Sequence, residues 1–218
     1  MTATVFLAGD STMADYHSDF APQAGWGMML QPLLPPDIRV VNAAMNGRSS
    51  KSFIDEGRLS HIKDELSQGD YLLIQFGHND QKIDPDRHTD PFTSYKENLS
   101  HYIEAATDKK STPILLSPVA RRNFDQKGQL LSTHGDYPKA MKEAAEELSV
   151  PFIDLTMLSA NLLQTLGEEK SKDLFMWLPP HQHSNYPEGV QDNTHFNEKG
   201  AAAIANLVVQ ELSTLFTF

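Results

Sequence analysis

Five continuous apolar runs punctuate the chain: TVFLAG (4–9), IRVVNAA (38–44), DYLLIQFG (70–77), TPILLSPV (112–119) and PFIDL (151–155). A strand that is apolar on both sides of its pleat must be covered on both faces, which favours a parallel sheet over a half-wetted antiparallel one. Elsewhere the apolar period becomes helical. Phe92, Tyr95, Leu99, Tyr102, Ile103 and Ala106 share one helix face, as do Tyr137, Met141, Ala144, Ala145 and Leu148, and then Ala201, Ile204, Ala205, Val208, Leu212 and Leu215. Strands alternating with helices predict an α/β protein, a three-layer α/β/α sandwich around a five-stranded parallel sheet. The flavodoxin-like strand order 2-1-3-4-5 suits that count. The 218 residues contain no repeat or linker and read as one domain, 1–218. The exception to regularity is the stretch from Glu168 to His195, rich in Pro, His, Asn and aromatics, which reads as a long functional loop.

Composition removes several function classes. With no cysteine there is no disulfide, thiolate metal site or cysteine nucleophile. A net charge of −11, from 18 basic and 29 acidic residues, argues against nucleic-acid binding through phosphate neutralisation. No apolar run approaches the roughly 20 residues that a membrane helix needs. An apolar strand follows Met1 almost at once, without a leader pattern, so the expected location is the cytoplasm.

In open parallel sheets the ligand site lies beyond the carboxyl ends of the strands. The segments there are Gly9-Asp10-Ser11-Thr12, NAAMNGRSS with Gly47 and Arg48, GHND (77–80), PVARRNF (118–124) and, beyond a further helix, DNTHF (192–196). A serine becomes a nucleophile when a base takes its proton and a third group orients the base. Ser11, His195 and Asp192 supply these roles, with Asp192 and His195 three apart in a turn before a helix. Acyl transfer also needs donors for a developing oxyanion. Candidates are the amides of Ser11 and Gly47, the latter because a missing side chain permits close approach, and the side-chain amide of Asn79.

These blocks resemble those of the SGNH, or GDSL-like, hydrolases: GDST around the serine, the glycine of NAAMNGRSS, the asparagine of GHND and the D-x-x-H of DNTHF. More narrowly, GDSTMA, NGRSS, QFGHND, TPILLSPVARRNF and NYPEGVQDNTHFNEKGA resemble the rhamnogalacturonan acetylesterase family of carbohydrate esterases, nearly end to end. The resemblance implies a Ser11 nucleophile, a His195 base oriented by Asp192, an oxyanion hole of Ser11, Gly47 and Asn79, and no cofactor. It also implies an acetylated carbohydrate as substrate, either rhamnogalacturonan or its oligosaccharides. Acetylated xylan, its oligosaccharides or a small acetylated metabolite is the rival substrate class.

Other residues have competing readings. Asp10 reads as structural, bonding turn amides behind the serine, with His78 and Asp80 in support, and Asp154 reads as a helix N-cap. Trp26 is expected to pack in a helix against the sheet. Trp177 and Tyr186 either stack on sugar or pin their loop. Arg48, Arg121 and Arg122 could form a cationic patch for an acidic substrate. His181 and His183, in LPPHQHSNYP, read as substrate-side or loop-packing residues; together with Asp192 and His195 they also have the ligand types of a metal-dependent hydrolase. A GDST turn holding a flavin phosphate is the rival from another class.

Overall fold

In the computed structural model, which describes residues 3–215, five parallel strands form a sheet in the order β2-β1-β3-β4-β5. Its strands are β1 (Thr4–Gly9), β2 (Arg39–Asn42), β3 (Tyr71–Gln75), β4 (Thr112–Leu116) and β5 (Phe152–Ile153). The register sets Leu7 beside both Asn42 and Leu73, and Gly9 beside Gln75. The α-helices among the described residues are α1 (Ser50–Asp55), α2 (Arg58–Glu65), α3 (Lys96–Thr107), α4 (Tyr137–Leu148), α5 (Leu155–Ser171, broken at Gly167) and α6 (Glu198–Leu215). Among the described residues, no helix is long and apolar enough to cross a membrane.

The pleat divides the core into two layers. Val5, Leu7, Leu73, Ile114 and Leu116 face α5 and α6, where Leu163, Ala201, Ile204 and Val208 meet them. Phe6, Ala8, Leu72, Ile74 and Leu115 face the other way, against Leu59 and Ile62 of α2, Leu99 and Tyr102 of α3, and Met141 of α4. The expected three-layer sandwich and strand order are both present. Strand order reverses between β1 and β3, so the crevice at their carboxyl ends is the switch point where such sheets bind ligands.

The two edge strands are shorter than their apolar runs. β2 keeps four residues and is exposed or half-buried throughout, and β5 keeps two, because an edge strand lacks a second partner to extend its ladder. The Glu168–His195 stretch is not a structureless loop. It finishes α5 and then forms an antiparallel hairpin of β6 (Phe175–Leu178) and β7 (Val190–Phe196). Trp26 is fully buried but sits in a 3-10 turn (Trp26–Met29) rather than a helix. Its amide and that of Gly27, free at the start of the turn, donate to Thr12 O (2.9 Å) and Met13 O (3.2 Å), which ties the turn to the segment after β1.

Candidate active site

The chain leaves β1 at Gly9 and turns at once. Asp10 O accepts from the amides of Met13 and Ala14 at 3.1 and 3.0 Å, while Asp10 Oδ1 accepts from Thr12 N at 3.0 Å and Thr12 Oγ1 at 2.8 Å. Asp10 therefore has the structural position expected of it. Behind the turn runs a buried polar chain. Trp26 Nε1 donates to Gln75 Oε1, and Gln75 Nε2 donates to Thr12 Oγ1, both at 2.7 Å. Asp10 Oδ2 lies 3.2 Å from His78 Nδ1. Burial alone would raise the Asp10 carboxyl, but His78 and the Thr12 donors outweigh it and hold it below the usual carboxylate range. Trp26→Ala should cost about 3–5 kcal/mol in urea unfolding, since it opens a cavity and orphans Gln75 Oε1. A loss under about 1 kcal/mol would contradict this packing account.

This rigid base presents the Ser11 side chain to the hairpin. Ser11 Oγ is 3.0 Å from His195 Nε2, and His195 Nδ1 is 2.7 Å from Asp192 Oδ2. Sequence reasoning put Asp192 and His195 in a turn; they lie within β7, and the ladder explains the difference. Trp177 pairs with Gln191 and Phe175 with Phe196, so four β7 residues, Asp192 to His195, oppose Met176 alone. The excursion behaves as a turn inside a strand. Asp192 Oδ1 closes it by accepting from the amides of Thr194 (2.6 Å) and His195 (3.0 Å). Burial pushes the Asp192 carboxyl up, but the bonds from His195 and from these amides prevail and bring it down to about 2. Asp192 is thus ionised at neutral pH, with Nδ1–H the favoured His195 tautomer and Nε2 free to accept.

The candidate donors sit at three strand ends; Asn79 shares a cavity with Ser11, whereas Gly47 lines a neighbouring trough. Among the described residues, no protein acceptor takes the backbone amides of Ser11 or Gly47. Gly47 sits at φ +77°, and a Cβ there would meet no atom within 4 Å. The left-handed backbone at this position favours glycine over any residue with a side chain. Asn79 spends one N–H on Arg48 O at 2.9 Å, which ties the Gly47 turn to the Asn79 turn. Asp80, buried and pushed up to about 7 by that burial, binds Ser50 N and Oγ and braces the same junction.

A cavity of about 440 Å³ joins Ser11, Asn79 and His195 to Gln81, Lys82 and Arg121. The two cations have no carboxylate partner within it. Gln81, with its amide oxygen toward Arg121, accepts from Nη1 and Nη2 at 2.7 and 2.8 Å. Arg121 also donates to His78 O at 3.3 Å. Behind it the buried His134 ring stands edge-on to His78, centroids 4.4 Å apart; burial, then the charges of His78 and Arg121, push its pKa well down. A larger trough of about 610 Å³ on the hairpin, lined by Trp177, Pro179, Pro180 and Glu188, holds neither the serine nor the histidine.

The remaining candidates lie elsewhere. Arg48 pairs with Glu56 at 3.0 Å and borders a separate trough with Gly47. Arg122 is 3% exposed, donates to Glu168 O, Ser171 Oγ and Asn193 Oδ1, and does not line the cavity with Ser11, so it is not placed to meet a substrate there. Trp177 carries the Arg122 guanidinium 4.9 Å and the Lys172 ammonium 4.7 Å from its ring centroid. Tyr186 pins its loop, donating to Phe20 O at 3.0 Å. His181 and His183 stay on that loop, where His183 Nδ1 accepts from Asn185 N at 3.2 Å. They are not brought to Asp192 and His195, and among the described residues no three His, Cys, Asp or Glu side chains are grouped to hold a metal ion. Asp154 caps α5 as expected, accepting from Met157 N at 3.0 Å. Sequence reasoning missed Tyr16, whose hydroxyl donates to Ser11 O at 2.9 Å, and the roles of Gln75 and Asn193. Of these, Gln75 carried a signal, as a polar residue closing an apolar strand.

The pattern of the GDSL-like lipase/acylhydrolase family matches residues 7–203. The rhamnogalacturonan acetylesterase RhgT of Bacillus subtilis is 46% identical over 97% of this chain and 90% of its own length. The crystal structure of Bacillus subtilis YxiM superposes with a TM-score of 0.83 at 29% identity, covering 99% of this chain, which spans 57% of the YxiM chain. A single-substitution variant of Axe2, an acetyl xylan esterase from Geobacillus stearothermophilus, shares the fold at 17% identity with a TM-score of 0.68, covering 99% and 97% of the two chains. Sequence and fold agree: the chain belongs to the GDSL-like lipase/acylhydrolase family, the SGNH-type carboxylic ester hydrolases.

Proposed function

We propose that this protein is a serine esterase that removes O-acetyl groups from carbohydrate, with acetylated rhamnogalacturonan or its oligosaccharides as substrate. The observation that carries the mechanism is the unbroken line from Ser11 Oγ through His195 to Asp192, at 3.0 and 2.7 Å. His195 Nε2 takes the Ser11 proton as Oγ attacks the acetyl carbonyl. The new oxyanion accepts from the Ser11 and Gly47 amides and from the second Asn79 N–H. His195 then gives its proton to the departing sugar oxygen, which leaves an acetyl-enzyme. Water, deprotonated by His195, releases acetate and restores Ser11. The route needs no cofactor.

Two features support the pectic substrate. RhgT, named for rhamnogalacturonan, is a relative at 46% identity. In a chain of net charge −11, the cavity beside Ser11 presents Lys82 and Arg121 and no carboxylate, a placement suited to an acidic sugar chain. Acetate release should therefore be at least about tenfold more efficient, in kcat/KM, from acetylated rhamnogalacturonan oligosaccharides than from acetylated xylo-oligosaccharides. Equal or greater efficiency on xylan would overturn the substrate assignment while leaving the mechanism intact. Lys82→Ala/Arg121→Ala should raise KM on the acidic substrate several-fold, leave KM on neutral p-nitrophenyl acetate unchanged, and lose its effect in high salt. Asn79→Ala should lower kcat by about 10²–10³, the usual loss for one oxyanion donor. A kcat within twofold of wild type would remove Asn79 from the hole.

A further inference from the structure

We propose that Asn193, gripped by Arg122 and Trp177, is the positioning residue that holds the Asp192–His195 pair in line with Ser11. The inference rests on the catalytic reading above. Both members of the pair lie on the four-residue excursion of β7, which a single β6 residue opposes, so the sheet ladder does not fix them. Asn193, inside the excursion, is the point where it is tied down. Its carbonyl accepts from Arg122 N at 2.8 Å, and its side-chain oxygen accepts from Arg122 Nη1 at 2.8 Å and Trp177 Nε1 at 2.9 Å.

The anchor continues into the core. Arg122 Nη2 and Nε donate to Glu168 O at 2.6 and 3.2 Å, and Nε also reaches Ser171 Oγ at 3.1 Å, which locks the guanidinium to the last turn of α5. Among the described residues no carboxylate pairs with this guanidinium, which is 3% exposed, so the cost of burying its charge is met by hydrogen bonds to fixed oxygens, Asn193 Oδ1 among them. Those bonds hold the Asp192–His195 excursion against the end of α5. A reacting group misplaced by about 1 Å can cost on the order of 10²-fold in rate.

Asn193 is exposed, so substituting it removes no core packing and takes away only the acceptor shared by Arg122 and Trp177. Asn193→Ala should lower kcat on p-nitrophenyl acetate about 10- to 100-fold with KM unchanged. It should also weaken or broaden the low-field proton resonance of the His195 Nδ1–H bonded to Asp192 in the resting protein. Asn193→Asp, which keeps both side-chain acceptor contacts, should recover kcat to within about fivefold and restore the resonance. A wild-type resonance together with wild-type kcat in Asn193→Ala would overturn the proposal, as would equal loss in the Ala and Asp variants. The resonance is read without turnover, and Ser11→Ala tests the catalytic reading separately, so failure of one is distinguishable from failure of the other.

Discussion

Ser11→Ala is expected to lower kcat for acetate release by about 10⁴- to 10⁶-fold, with KM changed less than about threefold and the thermal midpoint within about 2 °C of wild type. The size follows from losing the nucleophile of a group that acts as a unit, where one deletion costs nearly as much as removing all three members. The selectivity follows from the local structure. Among the described residues the hydroxyl's one protein partner is His195, whereas the backbone of residue 11 is held by Tyr16 through the carbonyl and by the Asp10–Thr12 turn, neither of which the substitution touches. The Ser11 amide survives as a donor, so residual activity above the water reaction should persist. The burst of p-nitrophenol that reports an acetyl-enzyme should vanish. Activity within about tenfold of wild type would sink the serine mechanism, and with it the roles given to His195 and Asp192.

How much of this was legible beforehand depended on whether a feature was local. The central strands β1, β3 and β4 are buried on both faces, and their long apolar runs announce that. The β6–β7 hairpin did not announce itself, because β6 has four residues and VQDNTHF is mostly polar, so neither strand carries a period. The chemistry-bearing residues were visible because each sits just beyond a strand end or in a compact motif. Their supports were not. Arg121 and Arg122 are adjacent in sequence and chemically identical, yet one lines the cavity with Ser11 while the other is buried under the hairpin. What separates them is a partner 71 positions away, Asn193, together with the end of α5, and no spacing rule carries that contact. Tyr16 was equally silent, since its bond to Ser11 O depends on a turn whose path the sequence does not dictate.

Asp192→Asn should produce the second large loss, about 10⁴-fold in kcat at pH 7, and the reason is one of tautomer more than of charge alone. The carboxylate accepts from Nδ1–H at 2.7 Å and so leaves Nε2 bare toward Ser11. An amide at 192 can turn its N–H₂ toward the ring, which favours the opposite tautomer and points an Nε2–H donor at the hydroxyl that must lose a proton. With its carboxyl held down to about 2, Asp192 stays charged through the working pH range, so wild-type kcat/KM should show no inflection from this carboxylate above pH 3. The stability signature has a definite sign. A depressed carboxyl pKa contributes stability that is present above the unfolded value near 4 and is lost as pH falls through the folded value near 2. Wild type should therefore melt above Asp192→Asn at pH 5, and the gap should narrow steadily toward pH 2. Because the variant shares every other titrating group, including Asp10, the difference isolates Asp192. A gap that stays constant over that range would mean that the bond to His195 does not stabilise the charged carboxylate, and the orientation argument for this triad would fail with it.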